Sequence, residues 1–419
     1  MLSWLLVLGT RLRDSLDDDL IEQIAPVAAL VLVDAFAPLK VALPPAAQGC
    51  CPCSPLDPTC AAAQNTAKIN TREETPMPGK NPIDGFTVKP TEVQFWGTDL
   101  QRPECVLAEP DGSLWAADLR GFVHIRPDGS QNLITQKGPG AFDSSQVPEA
   151  ERLTKGSLPN GIAFARNGDI VVANFGTDRL ELTRRGDGHT TVIVDNLAGK
   201  EIGKVNFVLR DSKDRLWITV STRIKDWPTA IRPDIADGFV ALYDKGSLRI
   251  VADDICFTNE VRLDAKEEWL YVVETCGCRV TKFRVAADGS LSERQPHGPS
   301  DHGALIDGIA FDSHGNLWGT HVMMDRIFAI TPEGELRIIL DDPAPNDAGP
   351  KLMEAFHKKA ANFEMMQAAQ GKLAGWYASV VFGGPDLKNV YIGSLLGKRL
   401  PYFRSPVAGL PMVHWNERQ

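Results

Sequence analysis

Oxygen-bearing side chains recur at one position of a repeated sequence pattern, and their types indicate a metal site. Each repeat opens with a polar residue, followed by a short apolar alternation, a turn and a second apolar run. The opening residues are Glu104, Asn160, Asn206, Asn259, Asp307 and Ser379. Carboxylate and carboxamide oxygens, without His or Cys, are the ligands that hard cations such as Ca²⁺ prefer. If the repeats close into a ring, these side chains converge on its axis.

The two carboxylates among these residues strengthen the cation hypothesis. Bringing Glu104 and Asp307 together in a narrow tunnel places like charges close to each other, which raises a carboxylate pKa and destabilises the fold. A bound divalent cation removes that repulsion. An Asn or Asp before Gly, as in the PNG and IDG segments, is also common turn chemistry. The hypothesis therefore depends on the register shared by the repeats and not on any single residue.

The repeats themselves predict the elements that position these side chains. Segments such as ECVLAEPDGSLWAAD from residue 104 and DGIAFDSHGNLWGTH from residue 307 alternate apolar and polar residues around a turn, which is typical of a β-hairpin. Further strand-like runs follow each hairpin, so each unit holds about four strands. The fold class predicted is all-β, a six-bladed β-propeller. An aromatic residue or Val at a fixed place in the second strand is expected in the core: Trp115, Val171, Trp217, Tyr271, Trp318 and Tyr391.

The repeats do not extend through the whole chain. We predict the propeller over residues 91–419 and an irregular N-terminal extension, partly helical or disordered, over residues 1–90. Four cysteines at positions 50, 51, 53 and 60 lie in that extension, and their spacing does not favour a zinc site. No role is predicted for them.

Two features are expected to surround the axial site. Insertions at residues 223–238 and 341–377 interrupt the repeats, the second with helical periodicity, and long loops of this kind are often lids or binding loops. The second strand of each hairpin returns to the face where the first strand begins. The residues at its end are predicted to ring the mouth of the pocket: Asp118, Asn174, Glu274, His321 and Ser394.

Composition argues against several classes of partner. The chain has 44 Lys and Arg against 54 Asp and Glu, a formal net charge of -10. Since no basic cluster stands out, nucleic acid and anionic membrane surfaces are not expected partners. The apolar run at residues 24–36 is short and contains Asp34, so no membrane span is predicted. A cytoplasmic location is predicted, while the hydrophobic start MLSWLLVLGT leaves secretion open.

Five segments, in order, resemble the motifs of the regucalcin/gluconolactonase family, which includes luciferin-regenerating enzymes and consists of six-bladed propellers. The segments are PECVLAEPDGSLWAAD, KVNFVLRDSKDRLWITVS, FTNEVRLDAKEEWLYVVE, LIDGIAFDSHGNLWG and VVFGGPDLKNVYIGS. The resemblance covers about residues 93 to 415. It implies one catalytic divalent cation held by Glu104, Asn206, Asn259 and Asp307, with Asp307 also the general base for lactone hydrolysis. Ca²⁺ is the first candidate, and Zn²⁺, Mn²⁺ or Mg²⁺ are alternatives.

The chain departs from the family pattern beside the site. Phe207 and Glu260 follow the two Asn ligands where family members often have NDG or NG. Lys204 stands where regucalcin-like members carry a substrate-binding Arg, which keeps the charge but loses the bidentate fork. Asn160, Lys204 and His321 are the predicted substrate-binding residues.

The predicted function is that of a lactonase, a carboxylic ester hydrolase acting on a sugar-lactone-like or other small-molecule lactone or ester. Two alternatives stay open. A propeller that only binds a partner, with a structural cation, explains Phe207 and Glu260 more easily. An esterase or phosphotriesterase would use the same open cation. The sequence leaves the physiological substrate, the native cation and the oligomeric state undetermined.

Overall fold

The computed structural model describes residues 80–142, 147–148, 151–152 and 154–417. Most of the predicted N-terminal extension, with its four cysteines, lies outside these residues. Residues 80–93 pack on the strands that follow: Ile83 and Val88 are buried, and Val88 forms a parallel β-bridge with Leu340. Arg337 also forms an ion pair with Asp84. The compact unit therefore includes residues before the first repeat.

Twenty-six strands form six four-stranded antiparallel sheets and one short hairpin in the described residues. Successive strands along the chain are neighbours within each sheet, as the hairpin pattern predicts. The first three sheets and the short hairpin are β2 (Val106–Ala108), β3 (Leu114–Asp118), β4 (Gly121–Ile125), β5 (Gln131–Thr135); β6 (Pro159–Phe164), β7 (Ile170–Asn174), β8 (Arg179–Thr183), β9 (Thr190–Val194); the hairpin β10 (Asn196–Leu197), β11 (Lys200–Glu201); and β12 (Val205–Arg210), β13 (Leu216–Val220), β14 (Gly238–Asp244), β15 (Ser247–Ile255).

The remaining three sheets complete the set, and the last of them combines both ends of the described chain. They are β16 (Thr258–Leu263), β17 (Trp269–Glu274), β18 (Arg279–Val285), β19 (Leu291–His297); β20 (Ile306–Phe311), β21 (Leu317–His321), β22 (Arg326–Ile330), β23 (Leu336–Asp341); and β24 (Tyr377–Gly383), β25 (Asn389–Ser394), β26 (Leu400–Arg404) with β1 (Gln94–Trp96). β1 pairs antiparallel with β26 and supplies the outermost strand of the last sheet. This pairing leaves no break in the ring, so the predicted six-bladed β-propeller is confirmed.

The first strand of every blade lies at the centre of the molecule. β2, β6, β12, β16, β20 and β24 contact one another in that order, and β24 contacts β2. All six are buried along their length, apart from partial exposure at the end of β16. The repeated polar residues therefore open the strands that line the axis, as the sequence pattern predicts.

The recurrent aromatic residues of the second strands are buried between sheets. Trp115, Trp217 and Trp318 are at most 2% exposed. In three blades the indole nitrogen donates to an acidic residue at the end of the first strand: Trp115 to Glu109 (2.6 Å), Trp217 to Asp211 (3.0 Å) and Trp318 to Asp312 (2.9 Å). A buried indole N–H needs such a partner. The aromatic position is thus part of the core, as predicted.

Replacement of Asp312 by Ala is expected to lower the free energy of unfolding by about 2–4 kcal/mol, because several buried donors lose their acceptor. Asp312 accepts from the Trp318 indole, the Asn316 side chain and two backbone N–H groups of the turn. Urea unfolding followed by tryptophan fluorescence measures the change. Glu333→Ala, at an exposed turn of the same blade, is the control and should change stability little. Equal effects of the two substitutions would contradict the role given to Asp312.

Both predicted insertions fold over the same face of the propeller. The first contains a short 3₁₀ helix at Trp227–Ala230, and the second contains α1 (Ala348–His357) and α2 (Phe363–Ala368). Their apolar side chains share one buried cluster with loops that precede the innermost strands, including Ala230, Phe257, Leu305 and Met366. None of the helices in the part of the chain that the structure describes is both long and apolar enough to span a bilayer.

Candidate metal and active site

A local irregularity in the innermost strands directs the repeated polar residues toward the axis. Strand pairing shifts register between Pro159 and Ile162, and at the equivalent place in β12, β16, β20 and β24. A β-bulge adds a residue on one strand and re-aims the side chains there. Asn160, Asn206, Asn259, Asp307 and Ser379 lie within these shifts. The shared register seen in the sequence is therefore a shared bulge in the structure.

The glycines that follow two of these residues have a packing role. A Cβ on Gly161 would lie 2.6 Å from the Cα of Phe207 on the next innermost strand, and one on Gly308 would lie 2.3 Å from the Ala378 oxygen. These distances are too short for any side chain. The PNG and IDG segments are thus sites of close strand approach within β6 and β20, and not turns.

Four of the opening residues place an oxygen atom in one pocket. Glu104, Asn206, Asn259 and Asp307 all line a cavity at the insertion-covered end of the axis, which encloses ≈ 610 Å³ of empty space including its mouth. Each is at most 5% exposed, yet Glu104 Oε2, Asn206 Oδ1, Asn259 Oδ1 and Asp307 Oδ1 have no hydrogen-bond partner. Buried polar atoms are nearly always paired, so four unpaired acceptors in one cavity fit a site that binds a cation or a hydrogen-bond donor.

The Glu104 carboxylate is held in place by Asn160. The Asn160 amide nitrogen donates to Glu104 Oε1 (2.9 Å) and to the Asn206 backbone oxygen (3.0 Å). Its own oxygen accepts from the Arg102 guanidinium at 2.6 Å, and Arg102 also donates to the Pro159 oxygen. The Asn160 oxygen is therefore engaged by Arg102, and the Asn160 amide nitrogen holds Glu104 with its other oxygen unpaired in the pocket.

We expect Asn160→Ala to weaken cation binding about 10- to 100-fold, the usual effect of losing a hydrogen bond that orients a metal ligand. Isothermal titration of the chelator-treated protein with Ca²⁺ or Mn²⁺ measures the affinity. Asn196→Ala, in the exposed hairpin of β10 and β11, removes the same side chain from the surface and should leave the affinity unchanged. Unchanged affinity in the Asn160 variant would show that Glu104 does not depend on this bond.

The electrostatic state of the pocket favours a cation. Burial, with repulsion from Glu260, raises the pKa of Glu104 to about 8, although Arg102 opposes the shift. Burial and the negative charges of Glu104 and Glu260 raise the pKa of Asp307 well above its usual range, although Arg102 and a hydrogen bond from Asn259 oppose the shift. Neither Glu104 nor Asp307 has an ion-pair partner within 4.0 Å among the described residues. Among the described residues these carboxylates therefore lack the direct ion pair that buried acids normally have, and Arg102 opposes their repulsion only in part.

The donor set fits a hard cation. Two carboxylates and two carboxamide oxygens are oxygen ligands of the kind Ca²⁺ accepts. Among the described residues there is no group of three or more His, Cys, Asp or Glu side chains that could hold an ion. A cation bound at this site would therefore need the Asn206 and Asn259 oxygens in addition to the two carboxylates.

The two departures from the expected motifs lie outside the pocket. Phe207 is 1% exposed, and the Arg262 guanidinium carbon lies 4.7 Å from its ring centroid. Glu260 is fully buried, pairs with Arg262 (2.9 Å) and accepts from the Ile309 backbone (3.1 Å). Both residues are buried and follow ligand residues in the sequence, but neither lines the pocket. Their presence therefore does not favour a binding-only propeller.

The structure does not bring Lys204 and His321 into this pocket. Lys204 forms an ion pair with Asp178 (2.9 Å) beside a separate surface cleft. His321 Nε2 lies 3.1 Å from His302 Nδ1, and its ring stacks on Phe328. Of the three predicted substrate-binding residues, Asn160 alone lines the pocket. Substrate contact by the other two stays a prediction that this arrangement does not support.

The prediction that the strand-end residues ring the pocket mouth does not match the structure. Each of the five is buried and bonded within its own blade or to an adjacent loop, and none lines the pocket. Asn174, for example, accepts from the Leu158 backbone and donates to Glu181, and Glu274 pairs with Arg279 and Arg294. Their hydrogen-bonding capacity is used to fix the connection between the second and third strands.

Residues from the insertions, not predicted individually, form the pocket wall. Trp227 and Ile231 come from the first insertion and Trp376 from the second, which confirms that both reach over the axial site. Arg102, also missed, lies two residues before Glu104, and its φ of 58° turns the chain immediately before that ligand. No sequence pattern distinguishes Arg102 from other arginines, because the position of a single basic residue does not show whether it is buried beside acids.

A six-bladed propeller with an oxygen-lined axial pocket defines the class of this protein. Residues 102–350 match the family described as SMP-30/Gluconolactonase/LRE-like region. The match covers more than half of the chain, and it begins just before Glu104 and includes Asp307. The chain belongs to this family.

Solved structures with the same fold agree with this membership. A luciferin-regenerating enzyme is 16% identical, with 76% of this chain and 94% of that chain covered and a TM-score of 0.52. A gluconolactonase from Xanthomonas campestris is 18% identical, covering 75% and 88%, with a TM-score of 0.50. A calcium-binding regucalcin from Agrobacterium tumefaciens is 14% identical, covering 78% and 98%, with a TM-score of 0.54. At these identities the likeness establishes the fold.

Proposed function

We propose that this protein is a divalent-cation-dependent hydrolase that opens a lactone ring. The observation that carries the proposal is the set of four buried, unpartnered oxygens of Glu104, Asn206, Asn259 and Asp307 in one pocket. Membership of a family that includes gluconolactonases supports the choice of lactone as substrate. Ca²⁺ is the first candidate for the cation, because all four donors are oxygens.

The chemistry requires a nucleophilic water, a polarised carbonyl and a base. A bound divalent cation would keep both carboxylates ionised and polarise the lactone carbonyl. Asp307 would accept a proton from the attacking water as the new carbon–oxygen bond forms. The ring ester bond then breaks, and the proton passes to the alkoxide that leaves, giving the hydroxy acid.

The other pocket residues prepare this site. Asn160 holds Glu104 with one oxygen free, and Arg102 fixes Asn160. The insertions place apolar side chains beside the oxygens, and this would lower the local dielectric and strengthen electrostatic interactions inside the pocket. None of these roles requires Lys204 or His321.

The decisive experiment is metal-dependent turnover. Protein treated with a chelator should lose hydrolysis of γ- and δ-lactones and regain it with Ca²⁺, Mn²⁺, Mg²⁺ or Zn²⁺. An aryl ester and an aryl phosphotriester, measured in parallel, test the esterase and phosphotriesterase alternatives. If no lactone or ester is hydrolysed with any cation, the proposal fails and a binding propeller with a structural cation becomes the better account.

A further inference from the structure

The wall of the axial pocket is almost entirely apolar above the oxygen ligands. Aromatic and aliphatic side chains line it from the insertions, from the loops before the innermost strands and from the connections after the second strands. Six represent its extent: Phe175, Trp227, Ile231, Phe257, Val322 and Trp376. All of these except Trp227 are at most 6% exposed. A substrate bound at the oxygens must therefore place the rest of its surface against hydrocarbon.

Large apolar residues with a strained backbone are concentrated in this wall. Among the described non-glycine residues with positive φ, only four have a large apolar side chain: Phe257 (57°), Met323 (63°), Trp376 (57°) and Leu387 (54°). The first three line the pocket. A bulky L-residue in this conformation costs roughly 1–2 kcal/mol, so it persists only where surrounding structure enforces it. Strain of this kind clusters at functional sites.

The two insertions brace each other around the wall. The Phe363 ring packs edge-on against Trp227 (centroids 6.4 Å apart) and against Trp376 (6.2 Å). The Trp376 indole donates to the Met366 oxygen (2.9 Å), and Lys359 pairs with Asp234 across the insertions (3.0 Å). These contacts preform the apolar surface before a substrate arrives.

Few polar atoms are available to a substrate with hydroxyl groups. In the wall, Trp227 Nε1 and Arg102 Nε are buried donors without a partner. The Thr275 hydroxyl already accepts from the Asn259 amide at 3.1 Å. A hexonolactone carries four hydroxyl groups, and each one buried without a partner costs about 1–3 kcal/mol. The pocket therefore penalises a sugar lactone.

We propose that the substrate is a lactone or cyclic ester carrying an apolar alkyl or aryl substituent, and not a polyhydroxylated sugar lactone. This inference rests on the proposed function, since it places the ester group at the oxygen ligands and the substituent against the wall. Trp227 Nε1 and Arg102 Nε are the wall groups that can donate a hydrogen bond to an acceptor atom of such a substrate.

A homologous series tests the inference with the wild-type protein. γ-Lactones with side chains of zero to six carbons are compared with D-glucono-δ-lactone, with the cation present. Each buried methylene should raise kcat/KM about fourfold until the pocket is full. The longer alkyl lactones should exceed the gluconolactone by at least about 100-fold, the product of several such steps. An equal or higher kcat/KM on the gluconolactone would overturn the inference.

A binding measurement separates this inference from the proposed function. If no lactone is hydrolysed, the proposed function fails, but the alkyl lactones should still raise the thermal stability in a saturable manner that increases with chain length. The gluconolactone should have no such effect. Absence of any length-dependent stabilisation would overturn the apolar specificity as well.

A near-isosteric pair of variants locates the specificity. Val322→Thr places a hydroxyl in the wall with little change of volume, while Val192→Thr makes the same change at an exposed position of β9. The quantity compared is the ratio of kcat/KM on the longest lactone to kcat/KM on the unsubstituted lactone. In the Val322 variant this ratio should fall about fivefold or more, because the alkyl chain would desolvate the new hydroxyl. The Val192 variant should keep the wild-type ratio. An unchanged ratio in the Val322 variant contradicts the inference.

A smaller change covers the case in which Val322→Thr does not fold. Ile231→Val removes one methyl group from the wall and should move the optimum side chain to a length about one carbon greater, because the pocket gains about one methylene of space. An unchanged optimum in this variant would count against the assignment of Ile231 to the substituent site.

Discussion

Asp307→Asn should abolish cation-dependent hydrolysis while raising the thermal stability of the metal-free protein. The substitution keeps a side-chain oxygen and the volume but removes the base, so kcat should fall about 10²- to 10⁴-fold. In the metal-free protein the same change relieves repulsion, because burial and the charges of Glu104 and Glu260 raise the pKa of Asp307 well above its usual range. Steady-state kinetics and thermal unfolding at pH 8 measure the two effects.

The opposite signs of the two effects distinguish a functional acid from a structural one. Asp341→Asn is the matched control, because Asp341 lies on β23 and pairs with Arg326 at the surface. It should change neither turnover nor metal-free stability appreciably. Asp307→Ala, which also removes the oxygen ligand, should abolish turnover with the fold intact. Wild-type turnover in either Asp307 variant would remove this residue from the proposed mechanism.

The stability of the metal-free protein should fall as the pH rises from about 5 to about 8, whereas the cation-loaded protein should not show this loss. The pKa of Glu104 is about 8 in the folded protein, against an ordinary value of 4.5. Between these values the folded protein holds a proton that the unfolded chain has released, so folding is favoured less as the pH increases. Each unit of pKa difference corresponds to about 1.4 kcal/mol, which gives a loss of several kcal/mol.

Thermal unfolding across this pH range, with chelator and with saturating Ca²⁺, tests the expectation. The cation should raise the melting temperature little near pH 5, where protons occupy the carboxylates. Toward pH 8 the increase in melting temperature should become larger, by on the order of 5 °C. In Glu104→Gln the metal-free protein should lose most of this pH dependence. A cation effect that is independent of pH would indicate binding away from Glu104 and Asp307.

The axial arrangement explains how a protein can keep such an unfavourable cluster. Glu104, Glu260 and Asp307 are buried near one another, and in the described part of the chain Arg102 and Arg262 are the basic residues that oppose their charges. Arg262 pairs directly with Glu260, so the uncompensated charge remains at the two carboxylates that face the pocket. The hydrogen bonds that fix Glu104, and the bulges that fix the others, hold this charge in place for a cation. We therefore expect the metal-free protein to be less stable than the cation-loaded one.

The sequence alone determined the features that depend on local periodicity. Alternation and turn residues define the strands, and the repeat defines the blades, because a hairpin is a local structure whose pattern needs no knowledge of distant contacts. The common register of the six opening residues predicted their convergence on the axis, and five of them, all except Ser379, line the pocket. The buried tryptophans followed from their fixed place in the second strand.

Only the tertiary structure decided which side chains reach the pocket and what the pocket can accept. Arg102 and Trp376 line the pocket with left-handed backbone conformations, which no local sequence pattern predicts. Lys204 and His321 leave it because Asp178 and His302, which lie elsewhere in the sequence, engage them. The apolar wall combines the two insertions with loops of several blades, which lie far apart in the sequence. Such contacts join residues that are far apart in the sequence, so no short sequence pattern predicts them.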